Sequence, residues 1–114
     1  MKADYITSST PLPSHLIYPR FLLGIEGVRL TAKEVYTIML NMTLDESNVH
    51  TDQQGRKYLA FFNRDIAEII DRTPSTIAQS LRELEAVGLV EKKLISRSDP
   101  YHIYVKLPAG ENVP

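Results

Sequence analysis

Ser75, Gln79, Arg82 and Ala86 recur at the spacing of one side of a helix, with Thr76 and Glu83 at its edges, and Ser75, Thr76, Gln79 and Arg82 are the candidates to read bases. Ile77, Leu81 and Leu84 fall on the opposite side. Those polar types are the ones that hydrogen-bond base edges: glutamine pairs with adenine, arginine with guanine, while serine and threonine discriminate less. Thr73 followed by Pro74 marks the start of the helix, and a helix N-terminus favours a phosphate. Arg64, Arg72, Lys92, Lys93, Arg97 and Lys106, together with Thr73, are the candidates for contacts to a phosphate backbone. A plainer reading stands beside this one. Any solvated helix shows polar residues opposite a leucine stripe, and a charged hairpin needs no ligand.

Other residues with chemical potential lack the surroundings that chemistry requires. His15, His50 and His102 have no metal-ligand spacing and read as surface or turn residues. Asp65 with Glu68, and Glu83 with Glu85, read as helix-surface charges rather than an acid/base pair. Ser75 and Ser80 have no nucleophile-elbow context. Tyr101 and Tyr104 could suggest a strand-nicking tyrosine, but no metal-binding histidine pair accompanies them, so they read as strand residues, partly packed. There is no glycine-rich phosphate loop. The expectation is a protein that is not an enzyme and uses no cofactor or metal.

The elements around these residues fall in a consistent order. Residues 1–17 form an arm rich in Ser, Thr and Pro, extended where ordered, with Tyr18, Phe21, Leu22 and Leu23 able to dock its end onto the core. "LTAKEVYTIMLNMTLD" predicts a long helix with Thr31 as cap, Glu34 completing a capping box, and Leu30 and Val35 as a hydrophobic staple. Val35, Ile38, Met39 and Met42 make its apolar face. "NVHTDQQGRKYLAFF" predicts a hairpin turning at Asp52 to Gly55. A short helix capped by Asn63 follows, carrying Ile66, Ile69 and Ile70. Asp71 and Arg72 then break the chain before the Thr73 helix, which Gly88 ends. "LVEKKLIS" and "YHIYVKL" predict two strands joined at "RSDP". Helix, hairpin, helix, turn, helix and basic hairpin is the plan of an α+β winged helix-turn-helix: three main helices, a small β-hairpin wing and an N-terminal extended arm. The expected domain spans 18–107, with 108–114 a flexible tail.

Bulk composition permits this and narrows it. The chain has 114 residues, 43% hydrophobic and 24% charged, enough for one core without crosslinks. It has no cysteine, which removes disulfide scaffolds and thiol chemistry and fits a reducing cytoplasm. No apolar run approaches the roughly 18 residues of a membrane span, and "MKADYITSST" lacks the apolar region of a signal peptide. The net charge is −1, so attraction to nucleic acid must come from local clustering. Charge is indeed uneven: Asp45 to Asp52 holds acids without Lys or Arg, while Lys92, Lys93, Arg97 and Lys106 face only Asp99.

"YPRFLL", "LTAKEVYTIMLNMTLDESN", "VHTDQQGRKYLAFFNRDIAEII", "STIAQSLRELEAVGLVEKK" and "PYHIYVKL", in that order over about residues 18–107, resemble the N-terminal domain of the plasmid replication initiator protein A family of Gram-positive bacteria. The resemblance implies a winged-helix domain that binds repeated double-stranded sequences at a replication origin, usually as a homodimer. It implies that the helix with Ser75, Thr76, Gln79 and Arg82 is the recognition helix and that Lys92 to Lys106 form the wing. It also implies a further C-terminal domain engaging host replication proteins, which the residues up to Pro114 do not include. The dimer surface is expected on the arm and on the side of the first helix around Tyr36, Leu40 and Thr43. Two other readings fit the same elements: a winged-helix transcription regulator, and a protein-interaction module that binds no DNA.

Overall fold

The longest helix, α1 (Leu30–Leu44), is buried around most of its circumference in the computed structural model, which describes residues 5, 7–11, 16–45 and 49–108. Its predicted face of Val35, Ile38 and Met39 is joined in the core by Ala32, Tyr36 and Leu40. The helix is covered from several sides: the helix Pro74–Ala86 and the strands Lys57–Phe61 and Tyr101–Val105 pack against it, and the segment before it adds contacts through Phe21 and Ile17. Tyr36 and Leu40, expected on a dimer surface, are therefore core residues. The Phe21 ring meets Tyr36 edge-on at 5.7 Å, and the Tyr36 hydroxyl donates to the Lys106 carbonyl at 2.6 Å. Burial pushes the Tyr36 phenol up to about 12.

The start of α1 differs from expectation. The helix begins at Leu30 with Arg29 as its cap residue, so Thr31 lies inside the first turn and makes no cap bond. Leu30 is 75% exposed and cannot staple; Val28 enters the core instead. The cause is a residue from another helix. Glu83 accepts the Arg29 backbone N–H at 2.9 Å, the service Glu34 would give in a capping box. The preceding arm is held in a similar way. The Asn41 side chain accepts from the Ile17 N–H and donates to the Ile17 carbonyl, both at 2.9 Å, as a neighbouring strand would. Arg20–Gly24 then forms a short 3-10 helix that buries Leu22 and leaves Leu23 exposed. His15, most of the arm and the tail from 109 lie outside the described residues.

The rest follows the predicted order. β1 (His50–Thr51) and β2 (Lys57–Phe61) pair as an antiparallel hairpin, α2 (Asn63–Ile70) and α3 (Pro74–Ala86) follow, and β3 (Val90–Lys93) pairs with β4 (Tyr101–Val105). All neighbours are antiparallel in one sheet, ordered β1-β2-β4-β3, with Leu59 opposite Ile103 and Lys92 opposite Ile103 from the other side. Leu59, Phe61, Val90 and Ile103 face the helices, while Tyr58, Ala60, Lys93 and His102 take the alternate face. Three helices on one side of a small sheet make the α+β winged helix-turn-helix that the sequence predicts. Two details of α2 change. Asn63 is its first residue, and the Phe62 N–H before it is taken by Asp65 at 2.9 Å. Ile69 is 60% exposed, so Ile66 and Ala67 anchor the helix.

Candidate nucleic-acid interface

α3 is fixed at both ends by local chemistry. The Thr73 hydroxyl accepts the Thr76 N–H at 3.2 Å, and Pro74, at the first helical position, has no N–H to leave unpaired. At the other end Gly88 takes φ 81, its N–H reaches the Glu85 carbonyl at 3.0 Å, and Leu89 N–H reaches the Leu84 carbonyl at 2.9 Å. This pair of bonds reverses the chain and seats Leu89 beside Leu84 in the core. Ile77, Leu81 and Leu84 are fully buried. Burying each such side chain contributes about 1.5–3 kcal/mol, which fixes the rotation of α3 and hence what it turns outward.

That outward side carries the expected residues. Ser75 and Arg82 are exposed, and Thr76 and Gln79 are half-buried. Thr76 spends its N–H on the helix cap, and its hydroxyl lies 3.0 Å from that of Thr73. Gln79 and Arg82 are joined: Arg82 Nη2 donates to Gln79 Oε1 at 2.7 Å. Gln79 Nε2 lies 3.5 Å from Glu83 Oε2, and Arg29 Nε lies 3.6 Å from the same oxygen. A cleft of about 250 Å³ opens between the first turn of α1 and this side of α3, lined by Arg29, Thr31, Ser75, Thr76, Gln79 and Glu83 among others.

The cations divide into groups. Arg72 and Thr73 sit together where α2 turns into α3, a turn made by Asp71 in the left-handed conformation, φ 54. Arg72 is exposed and donates to the Asp71 carbonyl at 3.3 Å. Arg64, at the start of α2, lies 4.5 Å from the Phe62 ring. Lys92 and Lys93 were expected along one backbone, but as neighbours in a strand they point to opposite faces. Lys92 stands over Tyr101, 4.5 Å from its ring, on the helix side of the sheet. Lys93 lies on the outer face, 3.7 Å from Glu91 and 5.1 Å from the Tyr104 ring. Lys106 also pairs with Glu91, at 3.5 Å. Arg97 is exposed in the wing loop, where Ser96 and Asp99 hydrogen-bond each other at 2.8 Å. The structure thus places Lys92 and Arg97 without an acidic partner at ion-pair distance among the described residues, and gives Lys93 and Lys106 such a partner.

The outer face of the sheet holds an aromatic row. Tyr58 stacks on His102 with centroids 4.2 Å apart and on His50 at 5.3 Å. Tyr104, buried at its edge, donates its hydroxyl to Asp52 at 2.9 Å. The Arg56 N–H, the Tyr104 hydroxyl, the Gln54 N–H and the Arg56 guanidinium hold the Asp52 carboxyl down at about 2. Burial, and then the hydrogen bond to Asp52, raise the Tyr104 phenol. These bonds tie the β1–β2 turn to the wing and make Tyr104 a packed residue, while Tyr101 packs against the core from the helix side of the sheet.

Residues 12–111 match the family model described as Replication initiator protein A (RepA) N-terminus. The chain belongs to this family. Among solved structures, the RepA-type chain is similar to one described as "N-Terminal domain of DNA binding protein", at 20% identity and TM-score 0.66, covering 98% of this chain and 89% of that one. It is also similar to one described as "Structure of Rep-DNA complex", at 20% identity and TM-score 0.69, covering 96% and 88%. At such identity the likeness establishes the shared fold. No curated protein matches the chain.

On this surface Arg29 escapes a sequence reading confined to the helix-turn-helix and wing, as does the bonding role of Glu83. Arg29 lines the cleft with its side chain 79% exposed, and Glu83, placed at the edge of the polar face, is the group to which Arg29 and Gln79 converge. A signal for Arg29 does exist in the sequence. A cation at the start of a helix sits at the unfavourable end of the helix dipole, and so asks for a partner.

Proposed function

We propose that this RepA N-terminal domain binds double-stranded DNA in a sequence-specific manner, as the origin-recognition part of a plasmid replication initiator. The observation that carries the reading is the polar side of α3. Ser75, Gln79 and Arg82 are presented outward by a helix whose ends are capped and whose other side is locked in the core. Its first turn, with Arg72 and Thr73, suits a phosphate, and its next turns suit base edges in a major groove. Lys92 and Arg97 in the wing supply further phosphate contacts. Nothing in this role calls for a catalytic group or a cofactor, and the place of work we infer is the cytoplasm.

Pairing of two domains belongs to the same proposal, since two half-sites a helical turn apart multiply specificity. With Tyr36 and Leu40 in the core, the surface we assign to it is the apolar patch of Leu16, Tyr18 and Leu30, which lines a cleft of about 320 Å³. Contacts with host replication proteins we assign to a C-terminal domain of the family's full-length members.

The test is duplex binding measured by fluorescence anisotropy over a range of salt. Several phosphate contacts predict that log affinity falls with log salt by about 0.9 per contact. Affinity independent of salt, or no binding at low salt, would overturn the proposal in favour of a protein-interaction module.

A further inference from the structure

Gln79 and Arg82 could each read a base unaided, glutamine an adenine and arginine a guanine. In this structure they are not independent. We propose that Arg82 is the guanine-reading residue of α3, and that Gln79, oriented by Glu83, is a positioning residue that aims it and reads no adenine itself. This inference rests on the reading of α3 as a duplex-binding helix.

Hydrogen-bond polarity fixes which way each of these groups must face. Glu83 is an acceptor only, and its side chain is 13% exposed, so its oxygens must find donors. Oε1 takes the Arg29 backbone N–H at 2.9 Å, and Oε2 faces the Arg29 guanidinium. Whatever Gln79 turns toward Oε2 must therefore be its NH2, and Nε2 is found there at 3.5 Å. The amide oxygen is then obliged to point the other way, to Arg82, whose Nη2 donates to it at 2.7 Å. The spacing of these residues, three and four apart, places them on adjacent turns of one helix face. Arg82 commits one of its five donors to this bond and keeps others for the two acceptors of guanine. This bond restrains its long side chain before DNA arrives, which lowers the entropy lost on binding. Gln79 would have to give up both of its amide contacts to read adenine.

The experiment selects duplexes from a randomised library with the wild-type chain and with Gln79→Ala, Arg82→Ala, the double variant and Glu83→Gln. Affinities for single-base changes in the selected site are then measured. Arg82 is exposed and Gln79 half-buried, and thermal unfolding confirms that each variant is folded. In Glu83→Gln the new amide can still accept the Arg29 N–H, but its NH2 faces Gln79. The Gln79 amide then turns over and presents a donor to Arg82. The result expected is a guanine preference lost at one and the same base by all variants, about 5- to 150-fold in each. The double variant should be no worse than either single one. An adenine preference lost in Gln79→Ala with the guanine preference intact overturns the inference, as does an unchanged Glu83→Gln. Wild-type binding without any base preference overturns it too and leaves duplex binding standing. No duplex binding at low salt overturns the underlying reading of α3 as well.

Discussion

Replacing Thr73 by alanine removes the side-chain oxygen that caps the start of α3. Of the backbone N–H groups in the first turn of α3, Pro74 has none and Ile77 already reaches the Thr73 carbonyl at 3.2 Å. The Thr73 hydroxyl serves the Thr76 N–H at 3.2 Å. Thr73 is exposed, so water reaches the freed N–H and the loss stays near the centre of the range for such caps, about 1 kcal/mol. For a chain of this size that lowers the melting midpoint by about 3–6 °C. Urea unfolding should show a shifted midpoint with an unchanged slope, since no surface burial changes. Thr73→Ser keeps the oxygen and should lie within about 0.5 kcal/mol of the wild type. Alanine equal to wild type would refute the cap as a source of stability. Serine as poor as alanine would assign the effect to the lost methyl group.

Other consequences can be checked alongside. Gly88→Ala should cost about 1–2 kcal/mol in urea unfolding, because its φ of 81 is unfavourable for a side chain although a Cβ there meets nothing within 4 Å. A neutral substitution would contradict the left-handed turn between α3 and the wing. Lys92→Ala should weaken all duplexes alike and lower the salt slope by about one, while Lys93→Ala, already paired with Glu91, should change both less. Equal effects would contradict their separation onto opposite faces. The Asp52 carboxyl is more acidic in the folded chain, at about 2, than its ordinary value of 3.8. Its contribution to stability is therefore complete above about pH 4 and is lost as pH falls through 2. Asp52→Asn should be less stable at neutral pH but lose stability less steeply between those values. An acid unfolding curve parallel to the wild type would show that the Tyr104 and Arg56 bonds do not matter.

What the sequence disclosed of this fold was chiefly what is decided within a few residues. Thr73 and Gly88 punctuate α3 through bonds to their own neighbours, and Pro74 through its missing N–H, so the helix and its outward residues are legible. The Asp52 turn and the alternating pattern of β2 were legible for the same reason. What was missed depends on contacts across the chain. Glu83 reaches back 54 residues to the Arg29 N–H, which shifts the start of α1 and displaces Thr31 from the cap. Asn41 holds Ile17 across 24 residues, a contact no local pattern announces. Tyr36 and Leu40 lie beside the apolar stripe of α1, and only the number of elements packed around that helix decides that they are core. The separation of Lys92 from Lys93 is different, because the period of a strand already contains it. Their shared charge says nothing of that geometry.

The outward side of α3 and the wing should together meet duplex DNA. A titration of the isotopically labelled chain with a selected duplex, followed by backbone amide resonances, tests it residue by residue. The largest shifts should fall on residues 72–82 of α3 and its approach, on Arg29, and on Lys92 and Arg97 in the wing. Shifts confined to the patch of Leu16, Tyr18 and Leu30, with α3 unmoved, would contradict it.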